Sequence, residues 1–474
     1  MNETTFRRSR IAVAVGGAVL ALGAGQVYGA GFALQEQNAS GLGNAYAGGA
    51  AVAEDASTAY FNAAGLTRLA SPQVVVAGNV ICYSARFHDS GSQPAALQPL
   101  GGTGGDAGDC SAVPNLYLAV PFANQWSFGL GVNVPFGLKT EYDSDWLGRF
   151  QAVKSKVETI NVNPSIAWQA TPQLSVAAGV SWQRLKATLT QQVNYAGAFA
   201  QGVGAAVAGG LVPAVAAPTL IGAGAGLESS ASVTGDDSAW GWNIGALWQV
   251  NQQTRFGAAY RSRIKYHING NVDIGNPAAL GPLPPTLAPV GAAIMSQVSA
   301  NPQLQSGGVR LDIEVPDTAN VSVFHRLNNQ WDLMGDIQYT GWSSIQELRI
   351  ERLNGAPPSV TPENFRDTWR FAVGANYHYT DAWTFRGGLA YDQTPVRNAE
   401  RTPRLPDEDR TWLAVGVQYR FNPQLAFDLG YTHIFIKDPS INQNAGDPAR
   451  YGVISGDYSS DVNIVGLQLT YSMR

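Results

Sequence analysis

The sequence predicts an all-β fold: a transmembrane antiparallel β-barrel of about 14 strands, with a small N-terminal plug of short helices inside its lumen. Three observations lead to this prediction. Segments that alternate apolar with small or polar residues follow one another from Gln73 onward, short and long connections between them take turns, and a run of small residues precedes them. Alternation gives a barrel an apolar outer face without raising mean hydropathy, which is close to zero here.

Residues 1–29 are predicted to be a signal peptide. Arginines at 7–10 precede the apolar run 11–22, and the small residues Val27 and Gly29 stand at the positions that favour cleavage before Ala30. The apolar run is too short to anchor a protein in a membrane as a helix. We therefore expect the chain to be exported and to begin at Ala30 once it is processed.

The plug is predicted from the composition of residues 31–66. This stretch is rich in Ala, Gly, Ser and Asn, so it has too little apolar volume for a core of its own, yet it carries too few charges for a solvated tail. Small side chains suit a segment packed inside a barrel, and a flexible linker is the alternative. The expected organisation is a signal peptide at 1–29, a plug at 30–70 and a transmembrane barrel at 71–474.

The barrel is predicted from strand patterns such as residues 411–421. Leu413, Val415 and Val417 fall on one face of this segment, and Ala414 and Gly416 fall on the other. A soluble β-sandwich also alternates, but it seldom needs aromatic residues near the strand ends. The aromatic residues expected to form a membrane-interface girdle are Trp331, Trp342, Trp369, Tyr379, Trp383, Trp412 and Tyr471.

The connections between the predicted strands alternate in length. Short turns are expected at 170–172, 250–252, 327–329, 380–381 and 422–423, and the other connections are long. Barrels of the bacterial outer membrane have tight periplasmic turns and long external loops. The pattern therefore predicts a multi-pass β-barrel in the bacterial outer membrane.

Five short motifs in the plug carry a family resemblance: AGF at 30–32, SGLG at 40–43, AY at 45–46, DA at 55–56 and NAA at 62–64. Together they resemble the N-terminal hatch of the FadL family, outer-membrane channels for long-chain fatty acids and other hydrophobic compounds. Stretches at 241–248, 260–271, 338–348 and 383–416 resemble the same family. The resemblance implies fourteen strands.

One plug motif departs from the family pattern. The family usually has Asn-Pro-Ala where this chain has Asn62-Ala63-Ala64. Asn62 can still cap a helix, but the fixed φ of proline is lost. The substitution is expected to loosen the segment by about 0.4 to 1 kcal/mol.

A break in the barrel wall is predicted at Pro135, Phe136 and Gly137, within the strand pattern of residues 126–140. Proline has no N–H to donate to a strand ladder, and a closed barrel has no free edge to accommodate it. The resemblance implies that this stretch is the kinked third strand, whose bend opens a lateral hole towards the bilayer. The alternative is that Pro135 merely ends the strand at the external rim.

A lumenal site for an amphiphile needs apolar surface for the chain and one or two cations for the carboxylate. The alternative is that such inward charges satisfy one another, as in a pair between Arg386 and Asp392. Arg184 and Lys186 match basic positions of the family, whereas Thr190 and Thr361 stand where other basic residues are expected. The predicted lumenal residues are Phe32, Leu34, Arg184, Lys186, Arg349, Arg386, Asp392 and Arg410.

Two long connections, 195–227 and 276–307, are apolar where external loops are normally polar. Their Ala-rich parts are expected to form short helices that prolines interrupt. An exposed apolar patch usually marks a binding surface. The resemblance implies a groove that first captures a lipid-like ligand, and a loop that contacts lipopolysaccharide without a ligand is the alternative.

The two cysteines, Cys82 and Cys110, flank a Gly-rich loop. After export they can pair in a disulfide or remain free thiols, and two thiols are too few for a four-ligand metal site. No metal and no cofactor are expected. The five histidines stand singly and none belongs to a nucleophile motif, so no catalytic residues and no enzyme activity are expected.

The sequence therefore predicts a passive outer-membrane channel for long-chain fatty acids or other hydrophobic compounds, with alkanes, aromatics and sterol-like molecules all left open. The alternatives are a general porin and a structural or adhesive barrel. The expected surroundings are outer-membrane lipid and lipopolysaccharide, and the chain is expected to be a monomer. A net charge of −5 gives no reason to expect nucleic acid as a partner.

Overall fold

The computed structural model describes residues 30–444 and 446–473, so the predicted signal peptide at 1–29 lies outside the described residues. Fourteen antiparallel strands form a closed barrel, as predicted. The first and last strands close it, because they pair from Gln73 opposite Ser472 to Asp89 opposite Gly456. None of the helices in the described part of the chain has the length and apolarity to cross a membrane.

Six of the strands are interrupted by a short break and continue beyond it. The strands are β1 (Gln73–Asp89), β2 (Cys110–Ala123), β3 (Trp126–Asn133 and Gly137–Glu141), β4 (Lys154–Gln169), β5 (Leu174–Asn194), β6 (Glu228–Gln249), β7 (Thr254–Arg261 and Ile264–Ile274), β8 (Gly307–Val315 and Thr318–Arg326), β9 (Trp331–Thr340 and Glu347–Arg352), β10 (Ser359–Pro362 and Thr368–His378), β11 (Trp383–Asp392), β12 (Arg410–Asn422), β13 (Leu425–Ile436 and Ser440–Gln443) and β14 (Ile454–Ser472).

The helices are short and lie in the plug and in the long loops. They are α1 (Gly49–Val52), α2 (Thr58–Phe61), α3 (Tyr195–Ala208), α4 (Ala217–Ala223), α5 (Ala288–Ser299) and α6 (Pro448–Tyr451). Five 3-10 helices accompany them at Leu42–Asn44, Ala63–Arg68, Ala214–Ala216, Pro302–Leu304 and Trp342–Ser344.

The outer face of the wall is apolar and the inner face is packed. On β12, Leu413 and Val415 are exposed, whereas Trp412 and Ala414 are buried. Five of the seven aromatic residues expected in the girdle are exposed. Trp342 and Trp412 are fully buried instead, so the prediction is wrong for these two. Trp412 falls on the inward phase of β12, and Trp342 begins a 3-10 helix between the two parts of β9.

The connections alternate in length around the barrel, as the sequence predicts. All five predicted short turns join consecutive strands at one end, as between β4 and β5 or between β12 and β13. The loops at the other end include residues 195–227 and 275–306. We call the two ends of the lumen the short-turn end and the long-loop end.

The plug, residues 30–69, fills the middle of the barrel through backbone contacts that only small residues permit. A Cβ added to Gly416 on β12 would lie 2.7 Å from the Cα of Gly43. One added to Gly257 on β7 would lie 1.9 Å from the carbonyl oxygen of Ala50. Small residues on both sides therefore let the plug backbone rest directly on the wall.

Cys82 and Cys110 face each other across β1 and β2 and form a disulfide. The bond ties the first residue of β2, where the loop 90–109 rejoins the wall, to the middle of β1.

The two apolar loops fold onto each other at the long-loop end. Phe199 and Val203 of α3, Leu220 of α4 and Ile294 of α5 are buried in one cluster. Much of the apolar surface that the sequence presents is thus used in packing between the loops. Leu211 and Val215, between α3 and α4, remain exposed.

Candidate functional site

The wall is broken where β3 is interrupted at residues 134–136. Below the break, β2 and β3 pair from Leu116 opposite Val132 downward. Above it, the second part of β3 pairs with β4, and among the described pairings residues 110–115 of β2 pair with β1 alone. A gap in backbone pairing therefore separates β2 from β3 at the long-loop end of the break.

Side chains replace part of the missing ladder. Pro135 has no N–H, and Phe136 donates its own N–H to the hydroxyl of Thr159 on β4, at 3.0 Å. The same hydroxyl donates to the carbonyl of Phe136 at 2.6 Å. The break is thus a built feature of the strand.

The first residues of the plug cover this break as a short extra strand. The N–H of Leu34 donates to the carbonyl of Pro135, and the N–H of Gly137 donates to the carbonyl of Phe32, each at 2.9 Å. The Gln37 side-chain amide donates to the carbonyl of Val134 at 2.9 Å. Residues 32–37 therefore satisfy backbone groups that the interrupted wall leaves without a neighbour.

An aromatic cluster holds Phe32 in place. Its ring lies 4.8 Å from that of Trp342 in an edge-to-face arrangement and 5.8 Å from that of Phe136. Phe365 packs on the other side of Trp342 at 6.0 Å. Sequence reasoning assigned Trp342 to the girdle, and the structure places it against the plug.

Three of the predicted lumenal cations lie on the outer face of the wall. On β5, Gln183 and Leu185 are buried, whereas Arg184 and Lys186 are exposed, and Arg184 pairs with Asp236 at 2.9 Å. These two predictions are wrong because strand alternation turns both side chains outward.

The prediction that Arg349 lies in the lumen is wrong because strand alternation turns this side chain outward as well. It is exposed on β9 and pairs with Glu347, while Leu348 and Ile350 line the lumen.

Arg386 does lie in the lumen, and it ties the plug to the wall. Its guanidinium contacts Glu54 of the plug at 2.6 Å and Asp428 of β13 at 3.0 Å. Asp392 is therefore not its partner. Burial alone would raise the pKa of the Glu54 carboxyl, but the charge and hydrogen bonds of Arg386 hold that pKa below its ordinary value.

Asp392 and Arg410 also face the lumen, near the start of the plug. Asp392 on β11 lies opposite Arg370 of β10 and Arg410 of β12 in the strand register. Arg410 donates to the carboxylate of Asp407, at 3.0 Å from its Nε. Asp407 also accepts the N–H of Gly31 at 2.8 Å, so this charged group holds the first plug residues.

Two large cavities lie on opposite sides of the plug among the described residues. The cavity at the short-turn end has a volume of about 820 Å³ and is lined by charged residues such as Arg255, Arg326 and Asp332. The cavity at the long-loop end has a volume of about 730 Å³. Its apolar lining comes from Leu189, Val193, Val233, Val272, Ile274, Leu304, Val309, Leu348, Ile350 and Val360.

Arg404 is one of the lumenal cations that sequence reasoning missed, and Arg352 and Arg450 line the same cavity. Arg404 stands on the loop between β11 and β12 and lines the apolar cavity. Its guanidinium donates to neutral acceptors, which are the carbonyls of Gln151, Lys154 and Thr190 and the side chains of Ser155 and Gln191. Arg404 stands in the stretch TPRLPDEDR at 402–410, the same stretch that ends in the predicted lumenal residue Arg410.

Arg404 is not directly bonded to a carboxylate of the described residues, although Glu400 lines the same cavity. No acidic side chain within residues 30–444 and 446–473 forms an ion pair with Arg404. Burial lowers the pKa of Arg404 to about 10, so it stays charged at neutral pH. Burial also raises the pKa of Glu363, an acid that acts on it from a distance, to about 8. The cavity therefore holds a cation beside an apolar surface.

No group of three or more His, Cys, Asp or Glu side chains in the described part of the chain is placed to hold a metal ion.

Asn62 caps the 3-10 helix that begins at Ala63, because its side chain accepts the N–H of Ala64 at 3.1 Å.

Comparison with known proteins places these features in a family. Residues 20–473 match the family model described as outer membrane protein transport protein (OMPP1/FadL/TodX). The long-chain fatty acid transport protein of Escherichia coli K12 is 30% identical over 452 residues, which cover 93% of this chain and 95% of that protein. Outer membrane protein P1 of Haemophilus influenzae is 29% identical over 488 residues, which cover 98% and 99%.

Solved structures show the same architecture. The crystal structure of a Pseudomonas aeruginosa FadL homologue has a TM-score of 0.79 and 27% identity, and the match covers 94% of this chain and 100% of that one. The Pseudomonas putida toluene transporter TodX has a TM-score of 0.59 at 18% identity, covering 88% and 94%, and shares the fold.

Proposed function

The chain belongs to the OMPP1/FadL/TodX family of outer-membrane transport proteins, and from this premise we propose that it is a passive channel for long-chain fatty acids. It carries its cargo across the outer membrane without changing it chemically. It acts as a monomer, with its apolar outer face in membrane lipid and its long loops among lipopolysaccharide.

The observation that carries this proposal is the contact between the plug and the broken wall. Residues 32–37 are hydrogen-bonded to residues 134–137, so the segment that seals the lumen is also the segment that covers the gap beside β2. Movement of this one segment opens a path from the long-loop cavity to the side of the barrel. A general porin has a water-filled lumen and needs no such coupling.

Arg404 supports a carboxylate as the polar end of the cargo. Both terminal nitrogens of Arg404 already donate to neutral protein acceptors, so a cargo carboxylate would replace one of these acceptors, and a charge-assisted hydrogen bond is about twice as strong as a neutral one. An alkane or an aromatic hydrocarbon offers nothing to the buried charge of Arg404. The apolar lining of the same cavity suits an acyl chain.

The proposed route has three stages. The cargo lands on the apolar loops that carry α3, α4 and α5, and then it enters the long-loop cavity. When Phe32 is released from Trp342, the cargo leaves sideways past Pro135, Phe136 and Gly137. Breaking the edge-to-face ring contact costs about 0.5 to 1.5 kcal/mol beyond the area that it buries, which is within reach of the binding energy of an acyl chain.

The test is uptake of a labelled long-chain fatty acid by cells that have no other carrier. Replacing Pro135 by Val and Phe136 by Thr lets the β3 ladder continue, and uptake is expected to fall at least tenfold. The matched control is Pro164→Val, because Pro164 is a strand proline on β4 that is regularly paired with Leu130. Equal uptake by the wild type and the Pro135 variant would rule out the lateral route.

Planar-bilayer recording separates the alternatives. A general porin gives steady ion conductance, whereas the plugged barrel is expected to give none. A structural or adhesive barrel gives neither conductance nor uptake.

A further inference from the structure

Glu36 is a buried acid within the segment that covers the wall break. Its backbone is well held, because its carbonyl accepts hydrogen bonds from the side-chain amides of Asn79 at 2.8 Å and Asn115 at 3.0 Å. Its carboxyl group differs. The residue is fully buried, and neither carboxyl oxygen accepts a well-formed hydrogen bond among residues 30–444 and 446–473; the donor that acts on the carboxyl is the backbone N–H of Glu36 itself.

The charged groups around Glu36 are too few to stabilise a carboxylate there. Arg370 and Arg410 attract a negative charge at this position and Asp392 repels it, but none of the three is bonded to it. The phenol groups of Tyr46 and Tyr60 also face it. An ionised carboxylate without a well-formed hydrogen bond is unfavourable in such a place, so the buried form is the neutral acid.

Glu36 is also mechanically linked to the break. The next residue, Gln37, donates its side-chain amide to the carbonyls of Leu34 and Val134, each at 2.9 Å. Glu36 cannot reach water unless these contacts between the segment and the wall are disturbed.

We propose that Glu36 is a positioning residue that links the seating of residues 30–37 on the wall break to protonation. The neutral acid keeps the segment seated, and ionisation of the exposed acid favours its release. This inference rests on the proposed function, since release of the segment is the step that opens the lateral route.

The direction of the pH effect follows from the two environments. Burial raises the pKa of Glu36 from 4.5 to about 7 in the seated segment, and exposure returns it towards 4.5. Between these values the seated form alone holds the proton, so the seated state is fully favoured below 4.5 and loses stability as pH rises to 7. The ratio of released to seated segment rises by up to about tenfold per pH unit in this window, and it is level above 7.

The direct test is hydrogen exchange of the amides of residues 32–37, measured by mass spectrometry on the full-length protein in lipid nanodiscs. Wild type and Glu36→Gln are compared at the same pH, which cancels the intrinsic dependence of exchange on pH. At pH 4, below both pKa values of Glu36, the two should exchange alike. At pH 7.5 the wild type should exchange at least tenfold faster, since glutamine stays neutral.

A constant ratio of the two exchange rates from pH 4 to pH 7.5 would overturn the proposal. Asp392→Asn is the control, because Asp392 is the other buried acid that faces the same arginines. The exchange rate should still depend on pH in Asp392→Asn. If Asp392→Asn lost this pH dependence while Glu36→Gln kept it, the role of Glu36 would also be contradicted. Glu36→Met, neutral at every pH, replaces Glu36→Gln if the latter does not fold.

Uptake gives a second readout that separates this inference from the proposed function. With a long-chain alcohol as a probe that does not titrate, uptake by the wild type should rise from pH 5 to 7 and uptake by Glu36→Gln should stay at the low level. A pH-dependent exchange rate without any uptake would refute the channel and leave the role of Glu36 intact. Uptake without pH-dependent exchange would support the channel and refute the role of Glu36.

Discussion

The two ends of the plug are attached to the barrel in different ways. Residues 30–37 are held mainly by neutral hydrogen bonds and by the ring of Phe32. They include Glu36, a buried acid whose carboxyl oxygens accept no well-formed hydrogen bond among the described residues. Residues 49–62 are held by the charged contact of Glu54 with Arg386 and by Arg255, which donates to the carbonyls of Ala51 and Val52. The first set of contacts can be broken without leaving a buried charge alone, whereas breaking the second removes the carbonyl acceptors of the buried Arg255 guanidinium and one of the two carboxylates that Arg386 contacts.

This difference indicates which part of the plug moves. A device that opens repeatedly needs one attachment of low stability and one that is firm, because low-stability segments are those that move in function. The structure supplies the weak attachment at the wall break and the firm one at the charged end. The plug is therefore expected to release its first segment and to keep its body in the lumen.

The largest expected effect comes from removing the firm attachment. Arg386→Met leaves Asp428 buried without its cation, and loss of one partner of a buried pair costs about 3 to 5 kcal/mol. Chemical unfolding in detergent micelles should show this loss, and planar bilayers should show new ion conductance as the plug loosens. The matched control is Arg184→Met, whose ion pair with Asp236 is 51% and 46% exposed, so its loss should cost at most about 1 kcal/mol. Equal effects in the two variants would mean that the charged end is not the firm one.

Weakening the other attachment should leave the barrel intact. Phe32→Ala removes a buried ring from Trp342 and Phe136, a change that costs about 3 kcal/mol in a packed site. Because only the docking of the first segment depends on this ring, amides of residues 32–37 should exchange faster. The global unfolding midpoint should fall by no more than the docking of that segment contributes, which is less than the fall in Arg386→Met. A fall in the midpoint as large as that of Arg386→Met would show that the two ends are not distinct.

The cargo provides a smaller effect. Arg404→Met should weaken binding of a long-chain fatty acid by about 1.5 to 3 kcal/mol, the usual contribution of a hydrogen bond to a charged group, and should not change binding of the matching alcohol. Competition with a fluorescent fatty acid measures both. Arg349→Met is the control, because Arg349 lies on the outer face of the wall. A loss of alcohol binding in Arg404→Met would indicate a change of cavity shape instead of a lost carboxylate contact.

The sequence predicted the wall better than it predicted the lumen, for a physical reason. Strand alternation and turn length depend on local spacing, so the fourteen strands and the break at Pro135 could be read from the residues. Which of two strand faces a cation occupies depends on a shift of one residue, and Arg184, Lys186 and Arg349 were each placed on the wrong face.

Other contacts could not be predicted because they join distant parts of the chain. Glu54 and Arg386 are 332 residues apart. Arg404 reaches the cavity from a loop whose path no periodicity encodes. Trp342 has the residue type of a girdle position, and only the three-dimensional path of β9 shows that it packs against Phe32.

The smallest expected effect tests whether the body of the plug has been left loose at Ala63. Asn62 has an extended backbone, with φ −159° and ψ 101°, which is the conformation that a following proline prefers. Ala63 is the first residue of its 3-10 helix, where a proline removes no helical hydrogen bond. Ala63→Pro should therefore stabilise the protein by about 0.4 to 1 kcal/mol through the unfolded state, without changing uptake. Asn62→Ala removes the cap and also the hydrogen bonds from the Asn62 amide to the carbonyls of Ala50 and Ala246, so it should destabilise the protein by about 2 to 3 kcal/mol. If Ala63→Pro instead altered uptake while Asn62→Ala did not, the body of the plug would itself have to move, and the division into a fixed body and a mobile first segment would be wrong.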